Sequence, residues 1–362
     1  MLHDQFTSII SLIRQSQANA IRAVNTELIN LYWQVGEYIS KQVAGSAWGE
    51  KTVDELAGYI STQHPDIKGF NRRGLYRMKQ FYELYNNSSI VSSVLTQLQL
   101  IDNQSSKIVP TPSTQFNLSD IRNTLLTKIS WSHHTLIISR CRLPEEIEFY
   151  LKQSIKENYS VRQLDRQISS SLFERVMIGN HKLPPAIKEI HPDIINHFQD
   201  SYIFEFLNLP EPHSESDLKK GLIRQMKQFI LELGKDYLFV GEEFKVQAGN
   251  RDFFIDLVFY HRGLQCLVAF ELKTDRFEPE HLGKLNFYLE ALDRDIKKQN
   301  ENPSIGILLC KDKDEGTVEY ALSRFLSPTL VAEYKTQLPD KKLLQQKLNE
   351  IFENTANPNC QL

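Results

Sequence analysis

Three charged residues lie inside two apolar segments near the C-terminal end of the sequence. They are Asp256, Glu271 and Lys273 in the stretch FFIDLVFYHRGLQCLVAFELK, residues 253–273. An uncompensated charge in an apolar strand is costly, so a partner or a metal ion has to offset it. Since side chains alternate across a strand, Glu271 and Lys273 project from one face, and a hairpin can bring Asp256 alongside Glu271. The pattern predicts a charged site on two neighbouring strands.

The chemistry of such a site depends on what separates the two carboxylates. They repel each other unless a cation lies between them or one is protonated. Hard oxygen ligands suit Mg²⁺, which would acidify a bound water and stabilise charge on a phosphoryl group. Lys273 would then orient or deprotonate the water, or neutralise developing charge. An ordinary ion pair at a strand end also explains Glu271 and Lys273, but it does not explain Asp256, which apolar residues flank on both sides.

The elements predicted around this site form a compact α/β unit over residues 214–354. A single helix over 214–234 precedes three strands, of which the second and third carry the charged residues. A helix with an apolar stripe and a buried strand follow. The predicted strands are 237–248, 252–260, 264–273, 304–311 and a last one at 331–334.

Residues 1–180 are predicted to be helical. Thr52 with Glu55, and Ser160 with Gln163, form capping-box patterns, while Asn71 is placed to cap a helix that runs to about residue 85. Residues 86–117 are rich in Ser, Thr, Gln and Asn and are interpreted as a flexible polar insertion. A connector over 181–213 and a disordered tail over 355–362 complete the predicted organisation.

A basic segment lies at the predicted turn and second helix of a helix-turn-helix. KGFNRRGLYRMK, residues 68–79, holds five basic residues and no acid. Arginine and lysine there would neutralise phosphates, and Gln80 or Tyr76 would reach bases. A solvated helix face explains the charges equally well. The predicted DNA-binding residues are Lys68, Arg72, Arg73, Arg77, Lys79 and Gln80.

Composition limits the class of protein. Hydrophobic residues make up 41% and charged residues 24% of 362 residues, and the net charge is −3, as in ordinary soluble proteins of two or more domains. Four widely spaced cysteines exclude a CxxC zinc ribbon and suggest a reducing cytoplasm. Asp4 argues against a signal peptide, and no apolar run approaches the length of a membrane helix. We therefore expect a cytoplasmic protein.

The motif Asp256…Glu271-Leu-Lys273, in the order helix, three strands, helix, strand, resembles the PD-(D/E)XK nuclease superfamily. FFIDLVFYHRGLQCLVAFELK, GKLNFYLEALD, ENPSIGILLCKDK, SRCRLPEEIEFYL and FNRRGLYRMKQFYELY resemble the YhcG family of bacterial nuclease-domain proteins. The likeness covers nearly the whole chain apart from the polar insertion. It implies a restriction-endonuclease-like mixed sheet (αβββαβ) in the C-terminal domain. Ile255 departs from the proline in the superfamily's name.

The resemblance also implies roles for individual residues. Asp256 and Glu271 would be ligands of Mg²⁺, for which Mn²⁺ can substitute, and Lys273 would be the catalytic lysine. Many members carry a further acid on the first helix, for which Glu232 is the candidate, ahead of Glu242 and Glu243. On the helix after the motif, Lys284 and Tyr288 would contact substrate, whereas His281 is expected on a solvated face.

The sequence thus predicts a Mg²⁺-dependent DNA nuclease whose N-terminal helices bind DNA or mediate assembly, with a homo-oligomer among the possible partners. Two alternatives stay open. A DNA-binding or assembly protein could retain a nuclease fold without activity, since the C-terminal half lacks an obvious basic trough. An RNA-directed nuclease is the other, because two acids and a lysine do not discriminate between sugars.

Overall fold

The protein is described by a computed structural model over residues 2–45, 48–86, 121–179 and 198–356. Two compact units divide between Ile168 and Ser169. The first is helical, and the second contains a six-stranded mixed sheet with helices, so the predicted fold class is confirmed. Nearly all of the predicted polar insertion, residues 181–197 of the predicted connector and the end of the predicted tail lie outside the described residues.

The first unit is built around a long N-terminal helix. Trp33 on this helix packs edge-on against Phe81 and Tyr82 of the third helix, and all three aromatic side chains are buried. The helices are α1 (Leu2–Ala44), α2 (Glu50–Gln63), α3 (Arg72–Asn86), α4 (Trp131–Arg140), α5 (Pro144–Lys156) and α6 (Val161–Ser169).

Two of the three predicted helix starts are confirmed. The Asn71 side chain accepts a hydrogen bond from the Gly74 amide at 2.9 Å, as a cap of α3 should. Ser160 and Gln163 form the reciprocal bonds of a capping box, at 2.7 and 3.3 Å. The prediction for Thr52 was wrong, because α2 begins two residues earlier at Glu50 and its N-cap is Gly49.

The second unit contains the sheet, in the order β1-β6-β5-β4-β3-β2. The β2–β3 and β3–β4 pairs are antiparallel, and the remaining pairs are parallel. Its strands are β1 (Ser201–Ile203), β2 (Tyr237–Ala248), β3 (Arg251–His261), β4 (Cys266–Leu272), β5 (Ile305–Cys310) and β6 (Thr329–Lys335). Its helices are α7 (Leu172–Ile178), α8 (Glu215–Arg224), α9 (Met226–Leu233), α10 (His281–Ala291), α11 (Glu315–Leu322) and α12 (Lys341–Ala356).

Three features of this unit differ from the expectation. The predicted connector contains β1, an edge strand that pairs in parallel with β6 near the C-terminus. The single helix predicted over 214–234 is two helices, because the backbone leaves the helical conformation at Gln225. Helix α7 belongs to this unit although the helical domain was predicted to reach residue 180; a bond from Gln345 of α12 to Glu174 of α7 at 3.2 Å ties it there.

The sheet separates two apolar cores. On one face, Leu218 and Phe229 from α8 and α9 pack on strand residues such as Phe270. On the other face, α10 and α11 pack through residues such as Leu285 and Val318. Strand β4 is buried along its whole length, since it lies in the middle of the sheet with helices on both faces. Glu271, near the end of β4, therefore belongs to a strand that helices cover on both faces.

Candidate active site

Asp256 lies directly after the last residue pair between β3 and β4. The last paired residues are Leu257 and Phe270, so the next step in register brings Asp256 opposite Glu271. The Leu272 amide donates to Asp256 Oδ2 at 3.0 Å, in place of a backbone partner. The other oxygen, Oδ1, lies 3.5 Å from the ammonium of Lys219. One carboxylate oxygen of Asp256 thus fixes the strand end, and the other faces a cation.

Glu271 is the most deeply buried charge of the site. Its side chain is 0% exposed, and its Oε1 lies 2.7 Å from Lys284 Nζ and 3.2 Å from Lys273 Nζ. Its Oε2 is buried and has no hydrogen-bond partner among the described residues. An unsatisfied carboxylate oxygen in a protein interior is costly, so this oxygen is suited to bind a cation.

Lys273 lies just past the end of β4 and is fixed at both its backbone and its side chain. Its amide donates to the Leu309 carbonyl at 2.8 Å, and its ammonium donates to Glu215 Oε1 at 2.9 Å. Burial lowers the pKa of Lys273, but its hydrogen bond to Glu215 and the charges of Glu215 and Glu271 outweigh burial and raise it. The side chain is therefore a cationic donor, which disfavours the general-base role.

Two residues of α8 that the sequence analysis missed complete the charged cluster. Glu215 lies in the first turn and Lys219 one turn later, so they share a helix face. Lys219 donates to Glu243 at 2.8 Å as well as approaching Asp256. Glu243, ranked behind Glu232 as a candidate acid, has an exposed side chain that reaches the site through this lysine. An acid and a lysine four apart are common on helices, so no local pattern marked these two residues as part of the site.

The charge balance of the cluster suits a divalent cation. Four carboxylates (Glu215, Glu243, Asp256, Glu271) meet three ammonium groups (Lys219, Lys273, Lys284). The described residues contain no group of three or more His, Cys, Asp and Glu side chains arranged to hold a metal. Mg²⁺ needs only one or two protein carboxylates, and water and phosphate supply its remaining ligands. The unpartnered Glu271 Oε2 and the neighbouring Asp256 Oδ1 fit that donor set.

Glu232, expected as a third metal ligand, is held elsewhere. It lies on α9, beyond the break at Gln225, whereas Glu215 lies on α8. Its buried Oε1 accepts from the Ile203 amide at 2.9 Å and from Arg175 at 3.3 Å. Glu232 thus fastens β1 and α7 to α9, and the expectation that it joins Asp256 and Glu271 is corrected.

The two residues expected to contact substrate on α10 differ in their exposure. Tyr288 is buried, and its hydroxyl donates to the Phe254 carbonyl at 2.7 Å, so it packs against β3 instead. The Lys284 side chain is 51% exposed, with its ammonium on Glu271 and 5.4 Å from the Tyr288 ring centre. Burial lowers the pKa of Lys284, but Glu271 and Tyr288 together outweigh burial and raise it, so this side chain stays charged.

The predicted DNA-binding residues of the helical unit lie on the turn before α3 and on its outer face. Lys68, Arg73 and Gln80 are exposed. Arg72 pairs with Asp54 at 2.8 Å and Lys79 with Glu83 at 2.9 Å, so part of the basic charge is neutralised within the unit. Arg77 is half-buried.

Comparison of the sequence with known proteins identifies the family of this chain. Residues 195–349 match the family described as YhcG PDDEXK nuclease domain, and residues 8–109 and 111–175 match the DUF1016 N-terminal domain. The chain is 31% identical over 360 residues to YhcG of Escherichia coli (strain K12), covering 96% of this chain and 92% of that protein. The chain belongs to the YhcG family. Its C-terminal unit is a PD-(D/E)XK nuclease domain.

Solved structures give a weaker likeness. A repair endonuclease from Pyrococcus abyssi is 13% identical, with a TM-score of 0.24, 36% of this chain covered and half of that chain. EndoMS in its apo form is 18% identical, with a TM-score of 0.23 and coverage of 36% and 49%. Among the described residues, no helix has the length and apolar character needed to span a membrane.

Proposed function

We propose that this YhcG-family protein is a Mg²⁺-dependent nuclease that hydrolyses phosphodiester bonds of DNA. The observation that carries the proposal is the buried Glu271 Oε2, which has no hydrogen-bond partner among the described residues. It lies beside a second carboxylate and two lysines, as a phosphoryl-transfer site requires. Asp256 and Glu271 would hold the cation, and Mn²⁺ would replace Mg²⁺ because it also prefers carboxylate oxygen.

The cation, Lys273 and Lys284 would have different roles in hydrolysis. When bound, the cation would lower the pKa of a coordinated water and offset charge on the phosphoryl group. A water oxygen forms the new bond to phosphorus as the P–O bond to the leaving sugar oxygen breaks; the water loses a proton to solvent and the leaving oxygen gains one. Lys273, held by Glu215 at 2.9 Å, donates to the attacking water or a phosphate oxygen. Lys284, half exposed, neutralises the phosphate backbone.

The helical unit would hold the DNA. The support is the cluster of cationic side chains before and on α3, which includes the exposed Lys68 and Arg73. Phosphate contacts of this kind supply sequence-independent affinity. Gln80, exposed on the same helix, would reach toward bases.

Cleavage assays on the full chain test the catalytic proposal. Plasmid and linear DNA are incubated with Mg²⁺, Mn²⁺ or EDTA, and we expect cleavage with either metal and none with EDTA. Asp256→Asn and Lys273→Met should each reduce the rate by at least about a hundredfold, since each removes a group that touches the cation or phosphate. Asp252→Asn, on the same strand, and Lys311→Met, in an exposed ion pair, are the matched controls.

Other outcomes of these assays separate the alternatives. Cleavage of RNA but not DNA would establish the RNA-directed nuclease. DNA binding without cleavage under every condition would leave the inactive assembly protein. Cleavage that persists in Asp256→Asn and Lys273→Met would locate the chemistry outside this cluster.

Salt dependence tests the DNA contact of the helical unit. Arg73→Ala with Arg77→Ala should weaken binding to DNA of any sequence and reduce the slope of log affinity against log salt by about 1.8, because each lost phosphate contact contributes about 0.9. Arg140→Ala with Lys152→Ala removes two exposed cations of α4 and α5 from the same unit. An equal effect from this control pair would show that Arg73 and Arg77 are not specific contacts.

A further inference from the structure

The first half of α1 is an uncovered helix. Every residue from Phe6 to Val24 is exposed, and burial begins only at Asn25. These 19 residues would extend about 28 Å along the helix axis. A helical segment without tertiary contacts is marginal in water, since most helix stability in proteins comes from packing of an apolar face. The exposed half of α1 therefore needs a partner.

The exposed half carries an apolar seam on one side. Its members follow each other at steps of three and four residues, which keeps them on one face of the helix. Their exposure runs from 37% for Leu28 to 71% for Ile21, although large apolar side chains of this number are normally covered. Residues such as Ser11, Gln15 and Asn19 occupy the opposite face. The seam consists of Phe6, Ile10, Ile13, Gln17, Ile21, Val24 and Leu28.

The arrangement of the seam identifies its partner. Gln17 is its only polar member, and the apolar members lie at equal distances on either side: Ile13 with Ile21, Ile10 with Val24, and Phe6 with Leu28. Two copies laid antiparallel about Gln17 would set every apolar residue of the seam against another apolar residue of the seam. The two Gln17 amides would meet, and each can both donate and accept a hydrogen bond. A single polar residue in an apolar seam of this kind fixes register.

Charge and area agree with self-association. The seam carries no charge, and antiparallel pairing keeps Arg14 away from its own copy, which a parallel pair would bring together. Antiparallel helices also oppose their macrodipoles. The apolar seam residues expose on the order of 600 Å² per chain, close to the roughly 800 Å² per partner of a standard stable interface.

We propose that the seam of α1 docks on the same seam of a second copy of this chain, as an antiparallel helix pair centred on Gln17. The inference rests on the helical unit alone and is independent of the nuclease proposal. It makes the protein a dimer with two nuclease domains.

The oligomeric state of the full-length protein in solution tests the proposal. Light scattering and sedimentation should give twice the mass of one chain. Ile13→Asp with Val24→Asp should weaken association by roughly a hundredfold or more, because it buries carboxylates at the pairing surface. Ser11→Asp with Asn19→Asp, on the opposite face, should leave the dimer intact. Tryptophan fluorescence checks that the unit remains folded, since all three tryptophans lie within it.

Disulfide trapping tests the orientation. In a Cys360→Ser background, Gln17→Cys should cross-link two chains, and Ile13→Cys should not, because Ile13 meets itself only in a parallel pair. Cross-linking through Ile13→Cys would overturn the antiparallel arrangement. A monomeric wild-type chain, or a dimer that survives Ile13→Asp with Val24→Asp, would overturn the docking itself. If the wild-type chain is a monomer and α1 unfolds in the Ile13→Asp with Val24→Asp variant, another segment of the same chain covers the seam.

Discussion

In the proposed site, Lys219 would compete with a divalent cation for Asp256. Its ammonium lies 3.5 Å from Asp256 Oδ1 and 2.8 Å from Glu243 Oε1, so it is shared between the two carboxylates. A cation that binds Asp256 has to displace the lysine, which Glu243 can retain. We therefore expect Lys219→Gln to bind Mg²⁺ and Mn²⁺ more tightly than the wild-type chain.

The size of the effect follows from the geometry. Unit charges about 4 Å apart attract by about 1 kcal/mol in bulk water and about 4 kcal/mol at an effective dielectric of 20. The Lys219 and Asp256 side chains are 20% and 18% exposed, so solvent screens their pair partially. When a cation binds Asp256, Lys219 can remain paired with Glu243, so only part of its attraction to Asp256 is lost. A net gain of about 1.4 kcal/mol is left, which corresponds to about tenfold tighter binding.

The assay is calorimetric titration of Mn²⁺ into the protein without nucleic acid, so that its result does not depend on cleavage. Glu243→Gln should have the opposite effect and weaken binding, because Lys219 then has only Asp256 to neutralise it. The double variant should behave like Lys219→Gln, since the effect of Glu243 acts through the lysine. Lys220→Gln, the exposed neighbour on α8, is the control.

Two results would refute this reasoning. Unchanged or weaker binding in Lys219→Gln would show that the lysine does not oppose the cation. Tighter binding in Glu243→Gln would show that Glu243 does not act by holding Lys219. If Asp256→Asn binds Mn²⁺ as the wild-type chain does, the cation site itself lies elsewhere.

Three further predictions concern the buried polar groups and the closest helix contact. Burial lowers the pKa of His134 to about 4, below the ordinary 6.5 of a histidine in an unfolded chain. Because the unfolded chain binds a proton that the folded chain does not, the helical unit should lose about 2 kcal/mol of stability from pH 7 to 5. Urea unfolding followed by tryptophan fluorescence should show this loss, and His134→Gln should remove the pH dependence. Arg175→Met leaves Glu232 buried without its ion pair and should lower the free energy of unfolding by about 3–5 kcal/mol, measured by thermal unfolding. Glu232→Gln should leave Mn²⁺ binding unchanged. Weaker Mn²⁺ binding in this variant would show that Glu232 is a metal ligand. A Cβ at Gly36 would lie 2.1 Å from the Met78 carbonyl oxygen, so Gly36→Ala should destabilise the helical unit by at least about 1–3 kcal/mol, and an unchanged urea midpoint would contradict the close packing of α1 on α3.

The sequence by itself determined the parts of the site that depend on local periodicity. Alternation of side chains and the short hairpin turn place Asp256, Glu271 and Lys273 on adjacent strands, and the strands lie within a few residues of their predicted bounds. The caps at Asn71 and Ser160 are equally local, because each involves a side chain and an amide three residues apart.

Only the tertiary structure decided which other charges surround the motif. Glu215, Lys219 and Glu232 all lie on predicted helix, and no local pattern distinguishes the acid that reaches Lys273 from the one that binds Arg175. The break at Gln225 and the packing of α8 and α9 on the sheet make that choice. Strand β1 pairs with β6 about 130 positions later in the sequence, and Tyr288 is buried because α10 packs on β3. These contacts join residues far apart along the chain, so their energies appear only once both partners are folded against each other.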